Sequence, residues 1–159
     1  MSGNIYTASF TSVSVSAVQD LFEILAPADA VIELLGINLG QTSDVGDAEA
    51  ESRLVTLRRV SGAPTSGSGG TTPTPRPHNQ GAVASGCTVE ANNTTQLSGG
   101  TNVVLFPIAW NIRVRDFEVP IPEARFYFSP STRLLLELEE APADAITCHG
   151  SITWRELGG

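Results

Sequence analysis

Near its start the chain reads NIYTASFTSVSVSAV over residues 4–18, and apolar and polar side chains alternate along this stretch. Tyr6 and Phe10 belong to one phase of the alternation, whereas Val13 and Val15 belong to the other. A period of two is typical of β-strands that bury one face and turn the other toward water. The stretch therefore predicts β-structure packed against a second layer.

Most of the remaining chain has the same character. Short runs rich in apolar and β-branched residues are separated by turn signals at intervals of roughly 8 to 15 residues. Further strands are predicted at residues 21–25, 30–39, 53–60, 82–91, 102–119, 125–128, 132–139 and 145–156. Only residues 43–52 combine a Ser or Asp cap with acids in a first turn, so one short helical turn is expected there. The pattern predicts an all-β fold over residues 1–159, a single-domain antiparallel two-sheet sandwich or jelly roll with one long Gly/Ser/Pro-rich loop.

The sequence Ala-Pro-Ala-Asp-Ala occurs twice, at residues 26–30 and 141–145. In both copies a strand runs into a proline turn, where Pro sets φ and Asp can bond its own backbone. Two interpretations remain open. The copies are either independent uses of the same turn chemistry or two similar β-corners at equivalent places in a double-sheet sandwich.

One long segment has nothing to contribute to an apolar core. Residues 65–80 read TSGSGGTTPTPRPHNQ and contain no Leu, Ile, Val or Phe. Glycine permits positive φ and proline fixes φ, so the first part should be flexible and the second stiff and extended. Long loops in compact domains are usually functional or disordered. We interpret residues 61–81 as an extended interaction arm, with a disordered surface loop as the alternative. The candidate protein-binding residues are Thr65, Ser66, Gly67, Ser68, Gly69, Gly70, Thr72, Pro73, Pro75, Arg76, Pro77 and His78.

Charge and composition argue against several partners. The formal net charge is −8 and all nine basic residues are arginine. Nucleic-acid affinity comes mainly from clustered basic residues, so no nucleic-acid partner is expected. The absence of lysine excludes a Schiff-base mechanism and a phosphate-loop lysine. Charged residues and prolines interrupt every apolar stretch well short of ~20 residues, so no membrane span is expected.

No motif indicates a metal, a cofactor or a catalytic residue. The acids in residues 44–51 do not have the spacing of a calcium loop, and Cys87, Cys148 and His149 lack a recognisable fourth zinc ligand. Ser68 lies between glycines but lacks the Gly-x-Ser-x-Gly context of a nucleophile. We expect a non-enzymatic protein without cofactor or metal. Because the start of the chain has no secretory signal pattern, two buried thiols are favoured over a disulfide.

Several stretches carry a family resemblance. They are QDLFE (19–23) with APAD (26–29), LGQ (39–41) with DxGDAExE (44–51), TSGSGGxTP (65–73), VEANxTT (89–95), and APAD (141–144) through WxE (154–156). Together they resemble the small head-decoration, or cement, proteins of tailed bacteriophages. The resemblance implies a β-rich virion protein, made in the host bacterial cytoplasm, that binds the outer capsid surface and bridges neighbouring capsid subunits. Its implied partners are the major capsid protein and other copies of itself, as a trimer rather than a dimer.

Two other function classes stay open. One is a carbohydrate-binding jelly roll on the virion surface for host or glycan attachment, with Trp110 and Trp154 as a sugar platform, although strand tryptophans are more often buried. The other is an enzyme such as a lyase or glycosidase, because the carboxylate pair of a glycosidase leaves no local motif. The strand carboxylates that could form such a pair are Glu33, Glu90, Glu118, Glu137 and Glu139.

Overall fold

A computed structural model describes residues 3–43 and 52–158 of the chain. The strands are β1 (Ile5–Val15), β2 (Gln19–Leu25), β3 (Ala30–Gln41), β4 (Ser52–Ser61), β5 (Arg76–Pro77), β6 (Thr88–Asn93), β7 (Thr101–Asn111), β8 (Asp116–Glu118), β9 (Tyr127–Phe128), β10 (Arg133–Leu138) and β11 (Ile146–Gly158). One 3-10 turn covers Pro122–Ala124. Within the described ranges no helix is long and apolar enough to cross a membrane. The helical turn expected at residues 43–52 falls on 44–51, which lie outside those ranges.

The strands form two antiparallel sheets. Sheet A has the order β5-β1-β11-β3-β8, with β9 also paired to β3, and sheet B has the order β6-β2-β10-β4-β7. Early strands pair with late ones: β1 with β11, β2 with β10, β3 with β8 and β4 with β7. This pairing is that of a long hairpin wound around one core, which is the jelly-roll arrangement. The predicted all-β two-sheet sandwich is confirmed.

The inner faces of the two sheets share one apolar core. The rings of Phe10 on β1 and Phe22 on β2 are 5.2 Å apart between centroids, which joins the sheets directly. Trp110 on β7 and Trp154 on β11 are also fully buried. Burial of such large aromatic side chains is the main favourable contribution to folding.

A β-bulge explains the change of phase in the first strand. The register with β11 shifts between Phe10 and Val13, and Ser12 has a φ of 57°. One extra residue moves the following side chains to the other face of a strand. Both Phe10 and Val15 are therefore buried, as the two phases of the sequence predict.

Two predicted strands are wrong in part. The strand predicted at residues 82–91 begins only at Thr88, because the preceding residues bond to the side chain of Glu156 rather than to a ladder. The strand predicted at 102–119 is two strands in different sheets. The first ends at Asn111, whose side-chain oxygen accepts the backbone N–H of Arg113 and forms the turn that leads to β8.

The repeated Ala-Pro-Ala-Asp-Ala sequences both form corners that cross from one sheet to the other. The copy at 26–30 connects β2 to β3, and the copy at 141–145 connects β10 to β11, so both cross from sheet B to sheet A. They lie at opposite ends of the sandwich, because Leu25 at the end of β2 pairs with Arg133 at the start of β10. Both copies are therefore corners between the two sheets, but they lie at opposite ends of the sandwich.

The two side edges of the sandwich differ. The connection between β4 and β7, residues 62–100, supplies β5 to the edge of β1 and β6 to the edge of β2. The opposite edge consists of the long strand β7 and the short strands β8 and β9, with no further strand outside them in the described part of the chain. Unpaired strand edges are sites where other chains can bind, so this difference bears on function.

We expect Gly150→Ala to destabilise the fold by about 1–3 kcal/mol, because a core of this density does not accept an added methyl group. A Cβ at this position would lie 2.6 Å from ring atoms of Phe10 and 3.3 Å from the ring of Phe22. Urea unfolding of the variant should be compared with that of Ser151→Ala on the same strand. Equal midpoints for the two variants would contradict the packing described here.

Candidate interaction surfaces

Part of the predicted interaction arm forms a narrow two-stranded ribbon with the end of β6 and the residues that follow it. Residues 65–71 run antiparallel to residues 91–98, and we call these two segments the ribbon. Its backbone hydrogen bonds join Thr65 to Ser98, Ser68 to Thr95 and Thr71 to Ala91, with N–H to oxygen distances of 2.8–3.1 Å. The ribbon contacts β2 and β10 side chains that alternate with core-facing ones, so it lies over the outer face of sheet B.

Glu23, in the middle of β2 and 1% exposed, fixes the ribbon to sheet B. Its Oε1 accepts the Ser66 hydroxyl at 2.7 Å and contacts the guanidinium of Arg133. Its Oε2 accepts the backbone N–H of Gly67 at 3.0 Å and faces the side-chain amide of Asn93 at 3.5 Å. A buried carboxylate is tolerated only when it is paired and hydrogen-bonded. The ribbon and Arg133 together meet this requirement.

Glycines allow the ribbon to lie this close. A Cβ at Gly67 would be 2.7 Å from the carbonyl oxygen of Thr95, and one at Gly70 would be 2.1 Å from that of Ala91. No side chain fits in either position without movement of backbone atoms. The segment therefore packs closely through its backbone against polar groups, and it has no apolar side chains.

The Pro-rich part of the segment follows the edge of sheet A. β5 pairs with Tyr6 and Thr7 of β1, and the N–H of His78 donates to the carbonyl oxygen of Ile5 at 2.9 Å. The prolines are half-buried and the residues between them are exposed. The half-buried positions are Pro73, Pro75 and Pro77, and the exposed ones are Thr72, Thr74, Arg76 and His78.

The predicted interaction arm therefore contacts its own domain with both its Gly/Ser part and its Pro part. It covers the edge of β1 and part of the outer face of sheet B, rather than projecting away. A role for Thr65–His78 in binding another protein stays a prediction. The exposed side chains available for it are Thr65, Ser68, Thr71, Thr72, Thr74, Arg76 and His78.

A second buried carboxylate, Asp20, holds the returning segment of the ribbon. Its Oδ2 accepts the backbone N–H of Leu97 at 2.7 Å, whereas its Oδ1 has no hydrogen-bond partner within the described residues. Burial, followed by the nearby carboxylates of Glu137 and Glu23, raises the pKa of Asp20 to about 7. At pH values above this the buried charge opposes folding.

The edge formed by β7, β8 and β9 is apolar. Ten large apolar side chains are exposed among the described residues, and seven of them lie within residues 103–127. These seven are Val103, Val104, Phe106, Val114, Val119, Ile121 and Tyr127. β7 carries no charge over its 11 residues. Because exposed apolar side chains concentrated in one region mark interaction sites, this edge is the second candidate surface.

A cleft of about 200 Å³ opens within this edge, between the two sheets. We call it the apolar cleft; its lining residues are Leu34, Ile37, Leu57, Phe106, Glu118, Pro120, Ala124 and Phe126. The rings of Phe106 and Phe126 are 6.2 Å apart between centroids. Small-molecule sites usually measure roughly 300–1,000 Å³, so this cleft is better suited to one apolar side chain of a partner.

The backbone of β7 is poorly suited to the addition of another strand. Its register with β4 shifts between Leu57 and Arg58, which places a bulge at Leu105. Pro107, in the same strand, has no N–H to donate. Bulges and prolines are features that discourage pairing at strand edges. Contact at this edge is therefore expected through side chains.

A second cleft, of about 600 Å³, lies where the start of the chain meets the end of β11. We call it the polar cleft; Asn4, Tyr6, Asp29, Val83 and Glu156 are among its lining residues. Its only charged lining residues in the described chain are the two acids. Glu156 accepts hydrogen bonds from Ser85 and Gly86. The size and lining are compatible with a small ligand that donates hydrogen bonds.

The sugar platform that the sequence suggests is wrong. Trp110 and Trp154 are 1% and 0% exposed, and the indole of Trp110 donates to the carbonyl oxygen of Val114. Neither ring can stack on a ligand. Both are core residues, which is the more frequent role of a strand tryptophan.

The candidate carboxylates and metal ligands have other contacts. Glu33 pairs with two arginines, and Glu137 and Glu139 both pair with Arg58. His149 bonds to Ser12 and Thr42. No group of three or more potential ligands among the described residues is placed to hold a metal.

Cys87 and Cys148 are free and buried, so the prediction of two thiols is confirmed. Burial raises the pKa of both, which keeps the unreactive thiol form.

Sequence reasoning missed Glu23, Asp20 and the apolar edge. An acid within the apolar run of residues 21–25 was a signal that something polar covers that strand. Pro107 was the available sign of an edge strand, because proline is excluded from central strands.

We expect Glu23→Gln to lower the free energy of unfolding by about 3 kcal/mol, because Arg133 would keep its charge in a mostly buried position. The backbone order parameter of Gly67 should fall as the ribbon loosens, measured by ¹⁵N relaxation. Glu140→Gln, at an exposed position, is the control. Unchanged stability and order in Glu23→Gln would show that Glu23 does not fix the ribbon.

Asp20→Asn should reduce the dependence of stability on pH. The pKa of Asp20 is about 7 in the fold against an ordinary value of 3.8. The stability that protonated Asp20 contributes is therefore fully present below pH 3.8 and is lost as pH rises through 7. The wild type should lose on the order of 3 kcal/mol from this group between pH 4 and pH 8. Urea unfolding across this range should show a smaller loss in Asp20→Asn. An equally steep loss in both proteins would rule out Asp20 as the source.

Comparison of the chain with protein-family models, with curated proteins and with solved structures found no match.

Proposed function

We propose that this chain is a non-enzymatic structural protein of a virion, which binds the outer surface of a bacteriophage capsid and stabilises it by bridging neighbouring capsid subunits. The observation that carries the proposal is the difference between the two edges of the jelly roll. One edge is covered by the chain's own residues 62–100, whereas the other exposes an apolar surface and a cleft.

This difference favours a protein partner. Exposed apolar side chains around a small cleft provide the buried anchor that protein interfaces use, without requiring a large ligand cavity. The major capsid protein is the partner that the family resemblance implies. On a shell with many equivalent sites, a modest interface gains from avidity if the protein also binds copies of itself.

A carbohydrate-binding module is the second candidate. The polar cleft favours it, because Asp29 and Glu156 could accept hydrogen bonds from sugar hydroxyls. The buried tryptophans remove the stacking platform that most supported this function, so it ranks below capsid binding.

The proposal predicts that the purified protein co-sediments with empty heads of the phage that encodes it and raises their temperature of disruption. Occupancy should saturate at a fixed number of copies per capsid, and the native mass of the free protein gives its oligomeric state. Bovine serum albumin at the same concentration controls for trapping. Protein that stays in the supernatant at saturating concentration would contradict capsid binding, and specific signals on a glycan array would then favour the second candidate.

A further inference from the structure

The apolar cleft has an acidic rim. Glu118 lines it, and Glu123 lies on the 3-10 turn beside Ala124, which also lines it. No arginine of the described chain pairs with either carboxylate. Arg125, which follows Ala124 in the chain, pairs with Glu33 instead.

Unpaired carboxylates next to an apolar cleft define the chemistry of an occupant. An apolar side chain would fill the space beside Phe106 and Phe126, and a neighbouring arginine or lysine would meet Glu118 or Glu123. An acidic segment would be repelled, both locally and by the net charge of −8.

A second copy of the chain is a poor occupant, because two chains of net charge −8 repel each other, although the exposed Val114 of a second copy lies between Arg113 and Arg115. Outside residues 103–127 the exposed large apolar side chains of the described chain are Val18, Leu54 and Val83. Val18 precedes the acid Asp20, and Val83 has no basic residue within six positions. Leu54 follows Arg53 but lies within β4, paired between two strands, and so cannot enter a cleft.

We propose that the apolar cleft binds an extended, basic segment of another protein, with one Leu, Phe or Met side chain inserted beside Phe106 and an adjacent arginine or lysine paired with Glu118 or Glu123. The inference rests on the proposed function only for the identity of the protein that carries the segment. Side-chain insertion, rather than strand addition, agrees with the bulge and Pro107 in β7.

The test uses a fluorescein-labelled decapeptide with one central leucine, two arginines on each side and Gly and Ser elsewhere. Its fluorescence anisotropy should rise on titration with the wild type. Ala124→Trp places an indole at the mouth of the cleft and should weaken binding about tenfold. Ala84→Trp, an equally exposed position at the polar cleft, is the matched control and should leave binding unchanged. Glu118→Gln with Glu123→Gln should weaken binding, more so at low than at high salt.

Two further peptides separate specific insertion from charge attraction alone. Replacing the leucine by glycine, or the arginines by glutamates, should each weaken binding about tenfold. Equal binding to wild type and Ala124→Trp, or no binding of the arginine–leucine peptide to the wild type, would overturn the inference. If the wild type co-sediments with heads but does not bind the arginine–leucine peptide, the inference fails while the proposed function stands.

Discussion

The contact between Glu23 and the ribbon is the interaction on which the arrangement of the long connection depends. A carboxylate in the middle of an apolar strand is unfavourable unless every oxygen has partners. Ser66, Gly67 and Arg133 supply those partners, and in doing so they hold residues 65–71 against sheet B. Both ends of the connection between β4 and β7 are held on the outer face of sheet B. The residues between these ends can then pair with β1 and β2.

This placement determines which surfaces are free. With one side of the jelly roll occupied by β5, β6 and the ribbon, the remaining open edge is that of β7 to β9. There the exposed apolar side chains and the apolar cleft lie together, with unpaired acids at the rim. An exposed apolar edge is an aggregation hazard in a monomer, and the bulge and proline of β7 reduce that hazard while leaving the side chains accessible.

The sequence predicts the fold class well, because strand periodicity and turn chemistry are local properties. The phase of the alternation changes between Phe10 and Val13, where the structure has a bulge, and the repeated Ala-Pro-Ala-Asp-Ala sequences lie at crossovers between the sheets. Whether a strand lies at the open edge is not a local property of the sequence. Within the run from Val103 to Trp110, Pro107 is a local sign of an edge strand, but the pairing order is what shows that the strand has a single neighbour. The packing of the Gly/Ser/Pro segment on its own domain was missed for the same reason: its partners, Glu23 and β1, lie far away in the sequence.

The account rests on the claim that a segment without apolar side chains is an ordered part of the domain. Residue-resolved amide hydrogen exchange of the free wild-type protein tests this most directly. The N–H groups of Gly67, Ser68, Thr71 and Thr95 are hydrogen-bonded in the ribbon, so they should exchange far more slowly than in an unstructured chain. Exchange of these four amides at the rate of an unstructured peptide, while the amides of β2 and β10 stay protected, would contradict the account.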